Sequence, residues 1–168
     1  MSMDHFSKID FSKIYPPFLE KAEILIDNCY KAGSEYWIIS GYRSVDEQNK
    51  LYAQGRNAIG KVIDPKLVVT NARGGSSFHQ YGVALDACSD KDMTRAGLQP
   101  DWNEASYKVL AEEAKKLGLE PGFYWKFKDS PHFQLDFTLK GIPVSKLYEK
   151  YQKGGIPAVW AFLDQWAW

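Results

Sequence analysis

The stretch Ser77-Phe78-His79-Gln80-Tyr81-Gly82-Val83-Ala84-Leu85-Asp86 constrains this chain more than any other, because it offers an imidazole and a carboxylate seven residues apart. Nitrogen and oxygen donors of this kind suit Zn²⁺, and a catalytic zinc takes three protein ligands and keeps its fourth position for water. A third ligand is therefore required. The chain has three histidines, and His132 sits in Asp129-Ser130-Pro131-His132-Phe133-Gln134, with a carboxylate three residues before the imidazole. That segment supplies both the missing ligand and a candidate base. The remaining histidine, His5, lies in a polar arm and reads as solvated.

The segments between follow from periodicity and punctuation. Residues 1–15 have no sustained period and read as a wrapping arm. Phe18, Ala22, Leu25, Ile26 and Cys29 fall at helical spacing between Pro16 and Gly33, so an amphipathic helix is expected there, with Cys29 a buried structural thiol. Tyr36-Trp37-Ile38-Ile39-Ser40 is a short β-favouring run. Ser44 followed by Glu47 is a capping-box pattern, predicting a helix from about Val45 to Gln54 that stops at Gly55. Arg43 is thereby held at a strand-to-helix junction. That is a rigid place to aim a guanidinium at a ligand, although an ordinary surface arginine has the same spelling.

Residues 55–67 read as a long loop, with Val68-Val69-Thr70 a possible strand start. Gly82 permits a tight turn into a strand over Val83–Cys88, on which Val83, Leu85 and Ala87 face one way and Ala84, Asp86 and Cys88 the other. Cys88 is thus a rival ligand to Asp86 or, as we prefer, a small filler beneath the site. After a polar excursion at Asp90–Pro100, Asp101 with Glu104 suggests another capping box, leading into a helix with the stripe Tyr107, Leu110, Ala114 and Leu117. Leu119–Phe127 and Pro131–Phe137 are expected to pair as a hairpin, with His132, Gln134 and Asp136 on one face; Asp136 either orients a ligand or is solvated. The last thirty residues predict a helix around Val144–Tyr151, a Gly154-Gly155 break and an aromatic end, Ile156–Trp168. We expect residues 1–137 to form the catalytic domain and residues 138–168 a helical, Trp-rich extension packed on it, a wall- or partner-contact patch being the alternative.

Composition narrows the classes. Lys plus Arg and Asp plus Glu both number 21, so nothing suggests a nucleic-acid-binding face, and no apolar run approaches the ~18 residues of a membrane helix. Two distant cysteines argue against a disulfide framework. The amino terminus lacks the apolar core of a secretory signal, so synthesis in the cytoplasm is expected, and a substrate outside it would need another delivery route. Six Trp among abundant aromatics serve a packed core first and a carbohydrate- or peptide-facing surface second.

Three segments together resemble the zinc peptidases of the D-alanyl-D-alanine metallopeptidase family, in particular its L-alanyl-D-glutamate endopeptidase branch, which includes bacteriophage endolysins. They are Ser40-Gly41-Tyr42-Arg43-Ser44 with Gln48, Ser77-Phe78-His79 with Gly82, Ala84 and Asp86, and Asp129-Ser130-Pro131-His132-Phe133-Gln134. The resemblance spans roughly residues 16–137. It implies that His79, Asp86 and His132 bind one zinc ion, that Asp129 is general base and then acid, and that Arg43 stabilises the oxyanion. Ser77 and Gln48 are expected to bind substrate or to fix loops. It also implies a small α+β fold of the D-Ala-D-Ala peptidase and Hedgehog-like kind, with helices on one side of an antiparallel sheet and the zinc groove on the other. The expected substrate is the peptidoglycan stem peptide, met by a monomer that reaches the wall after release, for a phage enzyme through a holin pore. A D,D-carboxypeptidase or dipeptidase and a zinc-stabilised, non-catalytic wall-binding module are the alternatives.

Overall fold

The computed structural model describes residues 3–6, 9–94 and 96–168; Met1, Ser2, Ser7 and Lys8 of the arm, and Arg95 in the 90–100 excursion, lie outside these. Helix α1 runs over Pro16–Lys31 and turns Phe18, Ala22, Leu25, Ile26 and Cys29 inward, as its apolar spacing requires. Pro at its first turn costs no hydrogen bond, because the first amides of a helix have no partner within it. Burial pushes the Cys29 thiol up to about 12, and both cysteines are free.

Five strands then form one antiparallel sheet among the described residues. These are β1 (Tyr36–Ser40), β2 (Ala84–Asp90), β3 (Pro100–Asp101), β4 (Leu119–Pro121) and β5 (His132–Leu135), in the order β1-β2-β5-β4 with β3 alongside β2. Register decides which residues share a face. Asp86 lies opposite His132, Ala84 opposite Gln134, and Gln134 opposite Glu120. Leu85, Phe133, Leu135 and Leu119 alternate with these and project to the other side. That apolar face receives α1, with the Phe18 and Phe133 rings 5.9 Å apart, and α3 (Lys108–Lys116), which buries Leu110, Ala111 and Ala114. The fold is therefore α+β, with helices on one face of the sheet and polar side chains on the other.

Helix α2 (Val45–Ala53) begins at the expected capping box, Ser44 accepting from the Glu47 amide and the Glu47 carboxylate accepting from the Ser44 amide. Elsewhere the sequence misleads. Asp101 and Glu104 form no capping box: Asp101 is tied into the β2–β3 pairing and takes the Asn103 amide and Ser106 hydroxyl, while Asn103 caps the 3-10 turn Glu104–Tyr107 that leads into α3. Val68–Thr70 builds no strand, because the Thr70 carbonyl accepts from Arg56 (Nη1, 3.0 Å) instead of a ladder partner. The strand begun at Leu119 ends at Pro121 and gives way to a 3-10 turn, Gly122–Tyr124. His5 is buried rather than solvated, its Nε2 2.6 Å from Glu35 Oε1 and its ring 4.5 Å from that of Trp37. Its polar sequence neighbours concealed a partner thirty residues away.

Asp136 neither faces the site with His132 nor is left to solvent. Its carboxylate caps the short helix α4 (Phe137–Lys140) by accepting from the Leu139 amide. Helix α5 (Val144–Leu163) is broken at Gly154 and Gly155 and buries Leu147, Val159 and Leu163. Trp160 donates to the Tyr81 carbonyl at 2.9 Å, and the Tyr15 hydroxyl donates to Asp164 at 2.7 Å. The C-terminal residues thus brace the turn that carries His79. Among the described residues no helix is long and apolar enough to cross a membrane.

Candidate metal centre

The polar face of β2 and β5 presents Asp86 and His132, and His79 reaches them from the 3-10 turn Phe78–Tyr81. That turn is closed at its start by Ser77, whose hydroxyl accepts from the His79 amide while the Gln80 side chain accepts from the Ser77 amide. It is closed at its end by Gly82 in the left-handed conformation (φ 69°), where a Cβ would lie 2.1 Å from the Lys13 carbonyl oxygen. No other residue fits there without moving the arm. Two further bonds lock the turn to the β1–α2 junction: the His79 ring meets the Gly41 carbonyl (Nδ1 to O, 2.8 Å), and the Arg43 amide donates to the His79 carbonyl at 3.2 Å.

Among the described residues, His79, Asp86 and His132 form a group whose donor atoms could hold a metal ion. His79 Nε2 is 3.3 Å from His132 Nδ1 and 3.4 Å from Asp86 Oδ2, and His132 Nδ1 is 3.1 Å from Asp86 Oδ1. A tetrahedral ion with bonds of ~2.0–2.1 Å spaces its ligand atoms about 3.3–3.4 Å apart. The two imidazole nitrogens stand at that spacing, and Asp86 meets one of them through each carboxylate oxygen. The far nitrogens fit as well. A carbonyl oxygen only accepts, so Gly41 holds a proton on His79 Nδ1 and makes Nε2 the nitrogen a metal would take; Gln134 Oε1, 2.8 Å from His132 Nε2, does the same for Nδ1. Two imidazoles and one carboxylate suit a borderline cation such as zinc. Cys88, buried beside Trp37 in the β1–β2 pairing, is not among the grouped atoms.

Charge in this cluster is strongly coupled. Burial alone would raise the Asp86 pKa, but the adjacent His79 and His132 outweigh it and hold the carboxyl well below the usual range. Burial alone would lower the His132 pKa, but the Asp86 hydrogen bond and charge carry it above the ordinary imidazole value. Asp129 stands at the exposed lip of the groove, where crowding by protein raises its carboxyl, reinforced by Asp86 and opposed by His132, His79 and Arg43. Its backbone is fixed by Gly122, whose carbonyl accepts from the Asp129 amide at 3.1 Å and whose missing Cβ would lie 2.4 Å from the Asp129 carbonyl oxygen.

Arg43 lines the same groove, half-buried. Its Nη1 donates to Gln48 Oε1 at 2.9 Å and its Nη2 to Ser40 Oγ at 3.3 Å, leaving its other N–H groups for the groove. Ser40 reaches this face through a register shift between Ile38 and Ser40, which sets Ser40 opposite Asp86. Gln48 is buried and joins the parts: it accepts from Arg43 and, at 3.4 Å, from Gln80, and it donates to the Ala72 carbonyl at 2.7 Å. Both Ser77 and Gln48 therefore fix loops here. Sequence reasoning gave no role to Gln80, Glu120 or Trp125, all of which touch this network. Glu120 is signalled only by its register opposite Gln134, which a linear reading does not contain.

Over 135 residues the chain is 38% identical to the peptidoglycan L-alanyl-D-glutamate endopeptidase CwlK of Bacillus subtilis, a match covering 74% of each chain. The fold is similar to that of the L-Ala D-Glu endopeptidase ChiX of Serratia marcescens (TM-score 0.55, 19% identity, 83% of this chain and 98% of that one). It is also similar to that of the vancomycin-resistance D,D-pentapeptidase VanY in complex with Zn(II) (TM-score 0.52, 17% identity, 79% and 82%). Residues 12–135, which carry the sheet, the His79 turn and the groove, match the model of the VanY family, D-alanyl-D-alanine carboxypeptidase, and the chain belongs to that family.

Proposed function

We propose that this protein is a zinc-dependent peptidoglycan hydrolase that cleaves the bond between L-alanine and D-glutamate in the stem peptide. The observation that carries the reading is the 38% identity to an enzyme of that specificity across most of both chains. The geometry supports it with three ligating side chains, their donor atoms within 4.8 Å of one another, in an open groove beside a carboxylate and an arginine.

We assign His79 Nε2, Asp86 and His132 Nδ1 to hold one zinc ion. Bound there, zinc supplies Lewis acidity, lowering the pKa of water towards about 7 and polarising the scissile carbonyl. Asp129 takes the proton of the attacking water and passes it to the departing amine nitrogen. Its raised pKa suits the first half of that cycle, since a more basic carboxylate takes a proton from water at less cost in driving force. Arg43, permanently charged and clamped by Gln48 and Ser40, faces the developing oxyanion with donors that need no reorganisation. A bacteriolytic, endolysin-type role is the finer form of this proposal, and clearing of a suspension of bacterial walls by the added protein tests it.

The deciding experiment is digestion of purified peptidoglycan by the zinc-loaded protein, with fragments and new amino termini identified by mass spectrometry. New D-glutamate amino termini are expected. Release of D-alanine would replace this reading with the carboxypeptidase activity that names the family, and no cleavage despite bound zinc would leave a binding module. Asp129→Ala should lower turnover by about 10²–10⁴-fold while zinc content stays at the parent level. Loss of zinc in that variant would make Asp129 a ligand.

A further inference from the structure

His132 can hold a metal through Nδ1 only if its other nitrogen keeps the proton, so whatever faces Nε2 controls the site. That group is the Gln134 side chain, with Oε1 at 2.8 Å. An amide has nearly the same shape when turned over. Reversed, it would offer its NH₂ to Nε2, drawing out the Nε2 lone pair and driving the proton to Nδ1, where it blocks a metal. Gln134 and His132 by themselves do not choose between the two arrangements.

Glu120 makes the choice. Its carboxylate Oε2 accepts from the Gln134 NH₂ at 3.2 Å, so Oε1 of the amide is turned to His132. The β4–β5 register sets Glu120 directly opposite Gln134, so backbone pairing maintains the contact. The carboxylate acts on the same ring by a second route: Oε1 accepts from Trp125 Nε1 at 2.9 Å, and the Trp125 indole lies 5.1 Å from the His132 ring, tilted by 43°. Thr138 Oγ1 donates to both carboxylate oxygens, at 3.1 and 3.0 Å. Three donors converge on one side chain. A neutral glutamine there would place an NH₂ among them and leave one donor without an acceptor.

We propose that Glu120 is a positioning residue of the metal centre, fixing through Gln134 which nitrogen of His132 is bare and through Trp125 how its ring lies. This rests on the assignment of His79, Asp86 and His132 as zinc ligands.

The test compares the parent, Glu120→Gln, and the exchanged pair Glu120→Gln with Gln134→Glu. In the exchanged protein the carboxylate moved to position 134 accepts from both the His132 ring and the amide NH₂ moved to position 120, so the direction of every hydrogen bond at the ring is restored. Zinc affinity is measured by competition with a chromophoric chelator, and the His132 Nε2–H resonance of the zinc-loaded protein is followed by NMR. Glu120→Gln is expected to weaken zinc by about 10–100-fold and to lose the protected Nε2–H signal, with the exchanged pair recovering both. Affinity within about twofold of the parent with an unchanged resonance, or an exchanged pair as weak as the single variant, would overturn the proposal. Parent zinc binding that survives His132→Ala would instead remove the ligand assignment itself, and this inference with it.

Discussion

Strand β5 holds two chemistries in four residues. His132 and Gln134 point into the groove while Phe133 and Leu135 point into the helices, yet all four are buried. Burial does not separate them; the kind of partner does. Phe133 and Leu135 are held by many weak, non-directional contacts within the apolar cluster. His132 and Gln134 are held by a few directional bonds, to Asp86, to each other and to Glu120. The apolar face therefore tolerates a change by repacking and registers it as stability, whereas the polar face registers it as chemistry.

That contrast is most easily broken by neighbouring substitutions. His132→Ala should reduce bound zinc to background and abolish peptidase activity while circular dichroism shows a folded protein; an unfolded product would mean that both faces carry the fold. Phe133→Ala, one residue along, should cost about 3–5 kcal/mol in denaturant unfolding, with activity per folded molecule retained. Arg43→Lys sharpens the polar side, because an ammonium cannot reproduce the planar fork between Gln48 and Ser40. Turnover should fall by about 10²–10³-fold with little change in KM, and a rise in KM alone would make Arg43 a substrate-carboxylate clamp.

The smallest effect is in the pH dependence of the zinc-free protein. The Asp86 pKa is lowered on folding, so its contribution is present above the unfolded value of ~4 and is lost as pH falls through the folded one. The His132 pKa is raised, so its contribution is present below the unfolded value of ~6.5 and is lost as pH rises through the folded one. Stability from this pair is fullest between about pH 4 and 6.5. Thermal melts should show that shoulder, and Asp86→Asn should flatten it.

Much of this is legible in the linear chain because it depends on local rules. Helical spacing in α1, the Ser44–Glu47 box, the β-favouring Tyr36–Ser40 run and the Gly82 turn all act within a few residues. Residue type and order also nominate His79, Asp86, His132, Asp129 and Arg43, since few side chains can do metal and acid–base chemistry. The errors have a common cause. Polar neighbours make His5 look solvated and a spacing pattern makes Asp101 look like a cap, but Glu35 claims the first and the β2–β3 pairing ties up the second.

The sequence by itself thus determined helices α1, α2 and α3, most strand candidates and the inventory of reactive groups, because propensity, capping and donor chemistry belong to residues and their near neighbours; helix α4, capped by Asp136 where a strand was expected to continue, was not among them. Only the tertiary structure decided that Ser40 shares a face with Asp86, that Gln48 clamps Arg43, and that Glu120 stands behind Gln134 and His132. Those relations depend on strand register and on a register shift in β1, which arise when segments far apart in the chain pair, and a one-residue slip would turn every side chain to the opposite face.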